Sequence, residues 1–389
     1  MITNFQIFRY FLYLGIAGFG GPLAIIEYIR RELVFEKKWM TIEEFKNYFG
    51  YAQIAPGPLA FQVAVYFAYF KKGFWAAVLA FIGLVLPSFL IVLIFSIFYK
   101  EFNDISYIVW GLYGISPVII SIIFYSGFNL SKTVFTKDVF QYILFFSAIA
   151  VSVFFKVHII ILIISFAFIS LIYNTLKEKF KNDKVNSISV FALTAIVSAI
   201  NYVPVVLNQF IDYLNAKLLD IALVFMKAGA LTYGSGFVII GVLRQDVVEN
   251  FHWLTAKEFI DGIAFGQITP GPVVITSTFI GYMVSGIPGS VVATVSVFLP
   301  TFIIVLILAQ VIEKVKDNFY LKAAIKGANA AAIGAIITTA YFLSKDALID
   351  YWTYGMFLAG IGILFYTKLK PYYLIIISAA AGIVIKYFF

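Results

Sequence analysis

Two Pro-Gly-Pro triplets, Pro56-Gly57-Pro58 and Pro270-Gly271-Pro272, interrupt strongly apolar sequence, each three residues after a glutamine, Gln53 and Gln267. Proline removes an amide donor, and glycine admits backbone angles that other residues resist. Such a break leaves the first amides of the next helix without intrahelical acceptors. It also turns the positive end of that helix's dipole toward whatever lies beyond. In apolar surroundings this is the chemistry of an anion seat. Glycine-rich breaks at Gly20-Gly21-Pro22 and Gly234-Ser235-Gly236 precede the two triplets. Lys227 lies inside an otherwise apolar helical run just before the second of these. An intramembrane ammonium is costly unless paired or hydrated, so Lys227 reads as a counter-charge for an anionic substrate, with snorkelling to an interface as the alternative. Gln53 and Gln267 supply amide donors without charge. Ser235, Thr269, Thr276 and Ser277 add hydroxyls, and Asn329 is a weaker candidate of the same kind.

These residues belong to a duplicated unit. Gly15, Arg30, Trp39, Thr41, Glu44 and Gln53 meet Gly229, Arg244, Trp253, Thr255, Glu258 and Gln267 at a constant offset of 214 residues. Leu86-Pro87-Ser88-Phe89 and Leu299-Pro300-Thr301-Phe302 continue the match with a one-residue slip. Repeated halves that each contain interrupted apolar segments point to a transport site between them. The repeat is not perfect, since Lys227 has Tyr13 as its counterpart. Arg9, one turn before Tyr13, serves either the first half or an interface. Arg30 with Glu32, and Arg244 with Asp246, recur at the membrane exit and are expected in structure or gating, with the arginines as entrance charges. Thr41 with Glu44 and Thr255 with Glu258 have the spacing of helix capping boxes, and Trp39 and Trp253 that of interfacial anchors.

The elements that position these groups must be membrane helices. Of the 389 residues, 62% are hydrophobic and 12% charged, against about 25% charged in soluble domains. Runs 74–99, 107–130 and 287–311 are long enough to span hydrocarbon as helices. They do not alternate as barrel strands would. The fold class is therefore an all-α polytopic membrane protein of two homologous halves. The net charge of +8 reads as basic cytoplasmic loops, not as a nucleic-acid surface. No cysteine and two histidines argue against haem, zinc or redox chemistry. No nucleotide-binding loop is present. No cofactor, metal or enzymatic activity is expected, and no cleavable signal peptide.

The expected organisation is a first repeat over 1–176, a linker over 177–217 and a second repeat over 218–389. Residues 188–214 read as a poor crossing or an interfacial helix. If the segment carrying Pro56–Pro58 enters and leaves on one side, most basic residues of the first half share one face. Each half then contributes five crossings and one re-entrant element, about ten crossings in all, and the odd number inverts the second half if residues 188–214 do not cross. Carboxylates deep in the membrane are scarce. Glu27, Asp220 and Asp261 are the nearest, and a proton-coupled mechanism would need such a group or a histidine.

The Gly18-Phe19-Gly20-Gly21-Pro22 break, the run from Lys227 to Gly236 and the paired Ala55-Pro-Gly-Pro and Thr269-Pro-Gly-Pro motifs resemble the chromate ion transporter family in its long, two-domain form. The chain departs from the family pattern at position 236, which lacks the proline, and at Tyr13, where a basic residue is common. The resemblance implies efflux of chromate from the cytoplasm across the cell membrane, with sulfate as a chemically similar oxyanion. The expected partners are the oxyanion and the lipid bilayer, with a homodimer left open and nucleic acid excluded. An anion channel, or a transporter for a different small inorganic anion, is the alternative.

Overall fold

A computed structural model of the chain describes residues 2–19, 21–102, 105–135, 138–155, 157–179, 216–232, 236–367 and 369–389. The first half contains α1 (Asn4–Ala17), α2 (Gly21–Ile29) prolonged by a π turn (Arg30–Glu36), α3 (Ile42–Ile54), α4 (Leu59–Lys72), α5 (Phe74–Phe102), α6 (Ser106–Val134), α7 (Val139–Phe155) and α8 (Ile159–Lys179). The second half repeats the series as α9 (Ala216–Ala230), α10 (Val238–Leu243) with its π turn (Arg244–Asn250), α11 (Ala256–Ile268), α12 (Thr276–Val315), α13 (Phe319–Ala347), α14 (Tyr351–Tyr366) and α15 (Pro371–Phe388). Inside α12 the backbone leaves helical geometry at Ser285 and Gly286, so its first part corresponds to α4 and its second to α5. No strand occurs among the described residues.

The duplication extends to backbone angles. Lys38 and His252, the non-glycine residues with positive φ among the described residues, occupy equivalent positions at +53° and +49°. Gly57 and Gly271 pair at +133° and +109°, and Gly73 and Gly286 at +78° and +60°. Thr41 and Thr255 both close the predicted capping boxes, each accepting from the amide of a glutamate three residues on, whose carboxylate bonds back to the cap.

In each half α3 and the following helix fold back on one another. Lys71 reaches Glu44 at 2.7 Å, the Tyr48 and Phe70 rings lie 5.2 Å apart, and those of Tyr51 and Tyr66 5.7 Å apart. Successive residues of α3 thus meet progressively earlier residues of α4, as in a hairpin with Pro56–Pro58 at its tip. Phe265 and Phe279 pair at 5.5 Å in the second half. This is the expected re-entrant element.

The first segment of each half differs from expectation. Five crossings per half make residues 5–29 one crossing interrupted at 18–22, yet Tyr10 lies against Trp39 at 5.9 Å and the Lys37 ammonium sits 5.9 Å over the Tyr10 ring. Residues so far apart along a straight helix would be separated by several turns. The chain instead turns back near Gly18, and α1 with α2 forms a second hairpin. Lys227 on α9 meets Asp246 beyond α10 at 2.6 Å for the same reason. Hydropathy marks the interruption but cannot tell a continuing helix from a returning one. Around the hairpins stand six helices long and apolar enough to cross a membrane and two shorter apolar ones, α7 and α14, among the described residues. Residues 188–214 lie outside the described residues.

The halves are inverted. Tyr113 of α6 donates to Asp350 at 2.6 and 2.7 Å, Ser121 to the Phe357 carbonyl at 2.9 Å, and Phe128 packs on Phe365 at 4.9 Å. Thus α6 and α14 run in the same direction. Because α7 follows α6 through a short turn and runs opposite to it, α14 opposes its own counterpart. The pair α5 and α12 agrees: Phe74 faces Phe302 at 6.2 Å while Phe81 faces Phe298 at 5.9 Å. Lipid offers little hydrophobic drive for helix association, so close packing carries the load. Gly114 of α6 lets the α15 backbone approach at Gly382, and its equivalent Gly327 on α13 lets α8 approach at Phe166.

The chain has no cysteine, so single labels read cleanly. Lys38→Cys and Lys257→Cys are expected to react with a membrane-impermeant thiol reagent from opposite sides of the membrane. Labelling of both from the same side would contradict inversion.

Candidate functional site

The four hairpin tips meet where the inverted halves join. The amide of Gly57 donates to the carbonyl of Thr232, at the end of the first segment of the other half. The amide of Gly271 donates to the carbonyl of Gly18 at 3.1 Å. Gly18 and Thr232 are equivalent positions, so the two bonds are one contact made twice. Backbone groups released by a broken helix in an apolar interior need partners, and here each half supplies the other's.

The Leu-Pro-Ser/Thr-Phe motifs complete this crossing. Ser88 of α5, fully buried, donates to the Pro270 carbonyl at 2.6 Å. Thr301 of α12, also fully buried, packs at Gly57. A β-carbon at Gly57 would overlap Thr301, and one at Gly271 would overlap Ser88. Positive φ and lack of space therefore both require glycine at these two positions.

The sequence places the free donors in the first turn of the helix after each triplet. The glycine amides within the triplets are taken by the crossing bonds. The donors that remain are those of the first turn after each triplet. Leu59, Ala60 and Phe61 open α4 with at most 5% exposure, and their amides find no acceptor among the described residues. Gln62 folds back to the Ala55 carbonyl at 3.1 Å, and its Oε1 and the Tyr66 hydroxyl one turn on have no partner among the described residues. In the second half the Ser277 Oγ and Gln267 Nε2 are likewise buried without partners among the described residues. Buried polar groups in this condition are costly, and they cluster on the helices that follow or precede the triplets.

The remaining predicted residues are distributed as follows. Pro56, Gly57, Pro58, Pro270, Gly271 and Pro272 lie at the junction; Gln53 is exposed. Gly21 opens α2. Gly20, Gly234 and Ser235 lie outside the described residues. Lys227 pairs with Asp246, whose side chain is only 2% exposed. Asp246 is also 3.5 Å from His158 and accepts from Asn250 at 3.0 Å. Two residues read separately, as substrate charge and as gate, thus form one pair, in which Asp246 is buried and the Lys227 side chain is 39% exposed. His158 arrives from the α7–α8 turn of the other half, where Gln245 accepts from the Ile159 amide at 3.0 Å. In the first half the equivalent cluster is thinner: Glu32, buried, has Arg31 at 3.3 Å. Arg30 pairs with Glu27 at 2.6 Å near the surface, and Arg244 with Glu249. Arg244 and Lys345 line a cavity of about 230 Å³. The sequence reading missed Ser88, Thr301, Gln62 and Tyr66. The repeated Leu-Pro-Ser/Thr-Phe motif was the available signal for the first two.

The family model described as chromate transporter matches residues 5–172 and 219–383, once per half. The chromate transport protein of Cupriavidus metallidurans is 34% identical over 381 residues, covering 97% of this chain and 92% of its own. The probable chromate transport protein of Synechococcus elongatus is 34% identical over 385 residues, covering 97% and 95%. An uncharacterized transporter of Methanocaldococcus jannaschii is 30% identical over 382 residues, covering 98% and 94%. No solved structure matches.

Gly57→Ala and Gly271→Ala are each expected to destabilise the folded protein in detergent by about 3 kcal/mol, from strained backbone and overpacking together. Gly50→Ala, at a helical site with nothing within 4 Å of the added carbon, is expected to be neutral or stabilising by about 0.5–1 kcal/mol. Thermal unfolding measures both, and equal melting temperatures for Gly57→Ala and Gly50→Ala would contradict the crossing.

Proposed function

The chain belongs to the chromate transporter family, and on that premise we propose that it is a secondary active transporter exporting chromate, or the related oxyanion sulfate, by alternating access. As a member of that family with several spanning helices it is a multi-pass protein of the cell membrane. The observation that carries the proposal is the meeting of hairpin tips from inverted halves inside the bundle, with the glycine amides of both triplets bonded across.

The tetrahedral dianion is seated at this junction. The first-turn amides of α4 and the dipole behind them supply neutral donors, and Lys227 supplies a cation. Lys227 is already balanced by Asp246, so an arriving dianion competes with that carboxylate. The buried member of the pair is Asp246, so Lys227 keeps the empty site from holding a bare buried carboxylate, which would be strongly destabilising. Alternating access follows from the duplication: two inverted halves of one fold can exchange conformations, and the exchange turns a site open to one face into a site open to the other. The two equivalent crossing bonds are the contacts such an exchange would loosen in turn. With no nucleotide-binding loop in the sequence, the energy comes from ion gradients or a partner.

Uptake into proteoliposomes, with chromate, sulfate and chloride compared, tests the proposal. Saturable flux of chromate or sulfate with counter-transport is expected, and single-channel currents would point to a channel instead. Lys227→Gln is expected to lower oxyanion flux by tenfold or more, since a charged hydrogen bond to the anion carries about 1.5–3 kcal/mol. Unchanged flux in that variant would remove Lys227 from the site.

A further inference from the structure

Asp261 is a buried ionisable group that the anion seat does not use. It lies on α11, between the hairpin base and Pro270, and is 1% exposed. Tyr99 at the end of α5 donates to its Oδ2 at 3.0 Å. The rings of Phe265 and Phe279 close over Tyr99 at 5.7 and 5.2 Å. No lysine, arginine or histidine lies within ion-pair distance of it among the described residues. The charged groups acting on it are Lys257 and Glu258 of its own helix, opposite in sign, while Tyr99 is the titratable group facing it from the neighbouring element. The equivalent position in the first half is Asn47, so only one half carries an acid here.

A carboxylate buried with one neutral donor is poorly supported as an anion. Asp246 and Asp261 form a contrast within one half: the former has a lysine at 2.6 Å, the latter a tyrosine alone. We infer that Asp261 is a proton-binding site that couples movement of the second-half hairpin, and hence oxyanion transport, to protons. The inference rests on the transport reading above. The carboxylate takes one proton from water when α11 is exposed at one face. As the neutral acid it is occluded against α5 and α12, and it returns that proton to water when exposed at the other face. Nothing is oxidised or reduced, and no bond other than O–H forms or breaks. Because α11 ends at the Pro270–Pro272 tip, the charge state of Asp261 sets whether that tip's supporting helix can close.

The test measures sulfate flux and proton flux together in proteoliposomes, the latter with an entrapped pH-sensitive dye. The native protein is expected to move protons in fixed ratio to sulfate. In Asp261→Asn the proton-to-sulfate ratio is expected to fall at least tenfold, whereas the control Asp220→Asn, at an exposed carboxylate, keeps the native ratio. Tyr99→Phe is expected to shift the pH at half-maximal flux. Sulfate and chromate transport by the native protein without proton movement would overturn the inference while leaving the transport reading intact. An unchanged ratio in Asp261→Asn would overturn it as well. If the native protein moves neither oxyanion, the transport reading fails first. Should Asp261→Asn fail to fold, the native ratio and the Tyr99→Phe shift still decide, and absence of both would overturn the inference.

Discussion

A backbone broken inside an apolar medium must find hydrogen-bond partners elsewhere, and most of this structure follows from where it finds them. Each Pro-Gly-Pro glycine donates its amide to a carbonyl at the other half's first break. Neither half can satisfy its tip alone. The requirement fixes glycine at 57 and 271 and brings Ser88 and Thr301 to the same junction. It also holds four hairpin tips together within the bundle. Around them α6 to α8 pack against α13 to α15 through small residues such as Gly114 and Gly327. Junction and surrounding helices obey the same inversion, so the junction is a consequence of the symmetry of the fold.

The chemistry departs from that symmetry. The second half carries Lys227, Asp246 and Asp261 where the first carries Tyr13, Glu32 and Asn47. One half therefore holds both the cation suited to an oxyanion and the acid suited to a proton. The duplicated backbone supplies two orientations of one architecture, while the charged groups are concentrated on one side of it. This division suits a carrier, in which the scaffold must exist in two equivalent states but the cargo needs only one set of charges.

Much of this was legible in the sequence because it depends on local chemistry. The offset of the repeats, the breaks, the capping boxes at Thr41 and Thr255 and the re-entrant course through Pro56–Pro58 all follow from residue type and spacing. Three features were not legible. Whether the chain continues or turns back at Gly18 depends on partners such as Trp39 for Tyr10, which a hydropathy pattern does not contain. The pairing of Lys227 with Asp246 follows from that turn and was missed with it. The burial of Asp261 depends on α5 returning Tyr99 to it from a distant part of the chain. Ser88 and Thr301 lay between: their motif repeats visibly, but its purpose appears only when the other half's triplet is set against it.

The most direct test is an experimental density map of the protein in lipid with sulfate bound. The account predicts Gly57 beside Thr232, Gly271 beside Gly18, and the anion at that junction. Triplets that face lipid or bulk water, remote from one another, with the anion bound elsewhere, would contradict it.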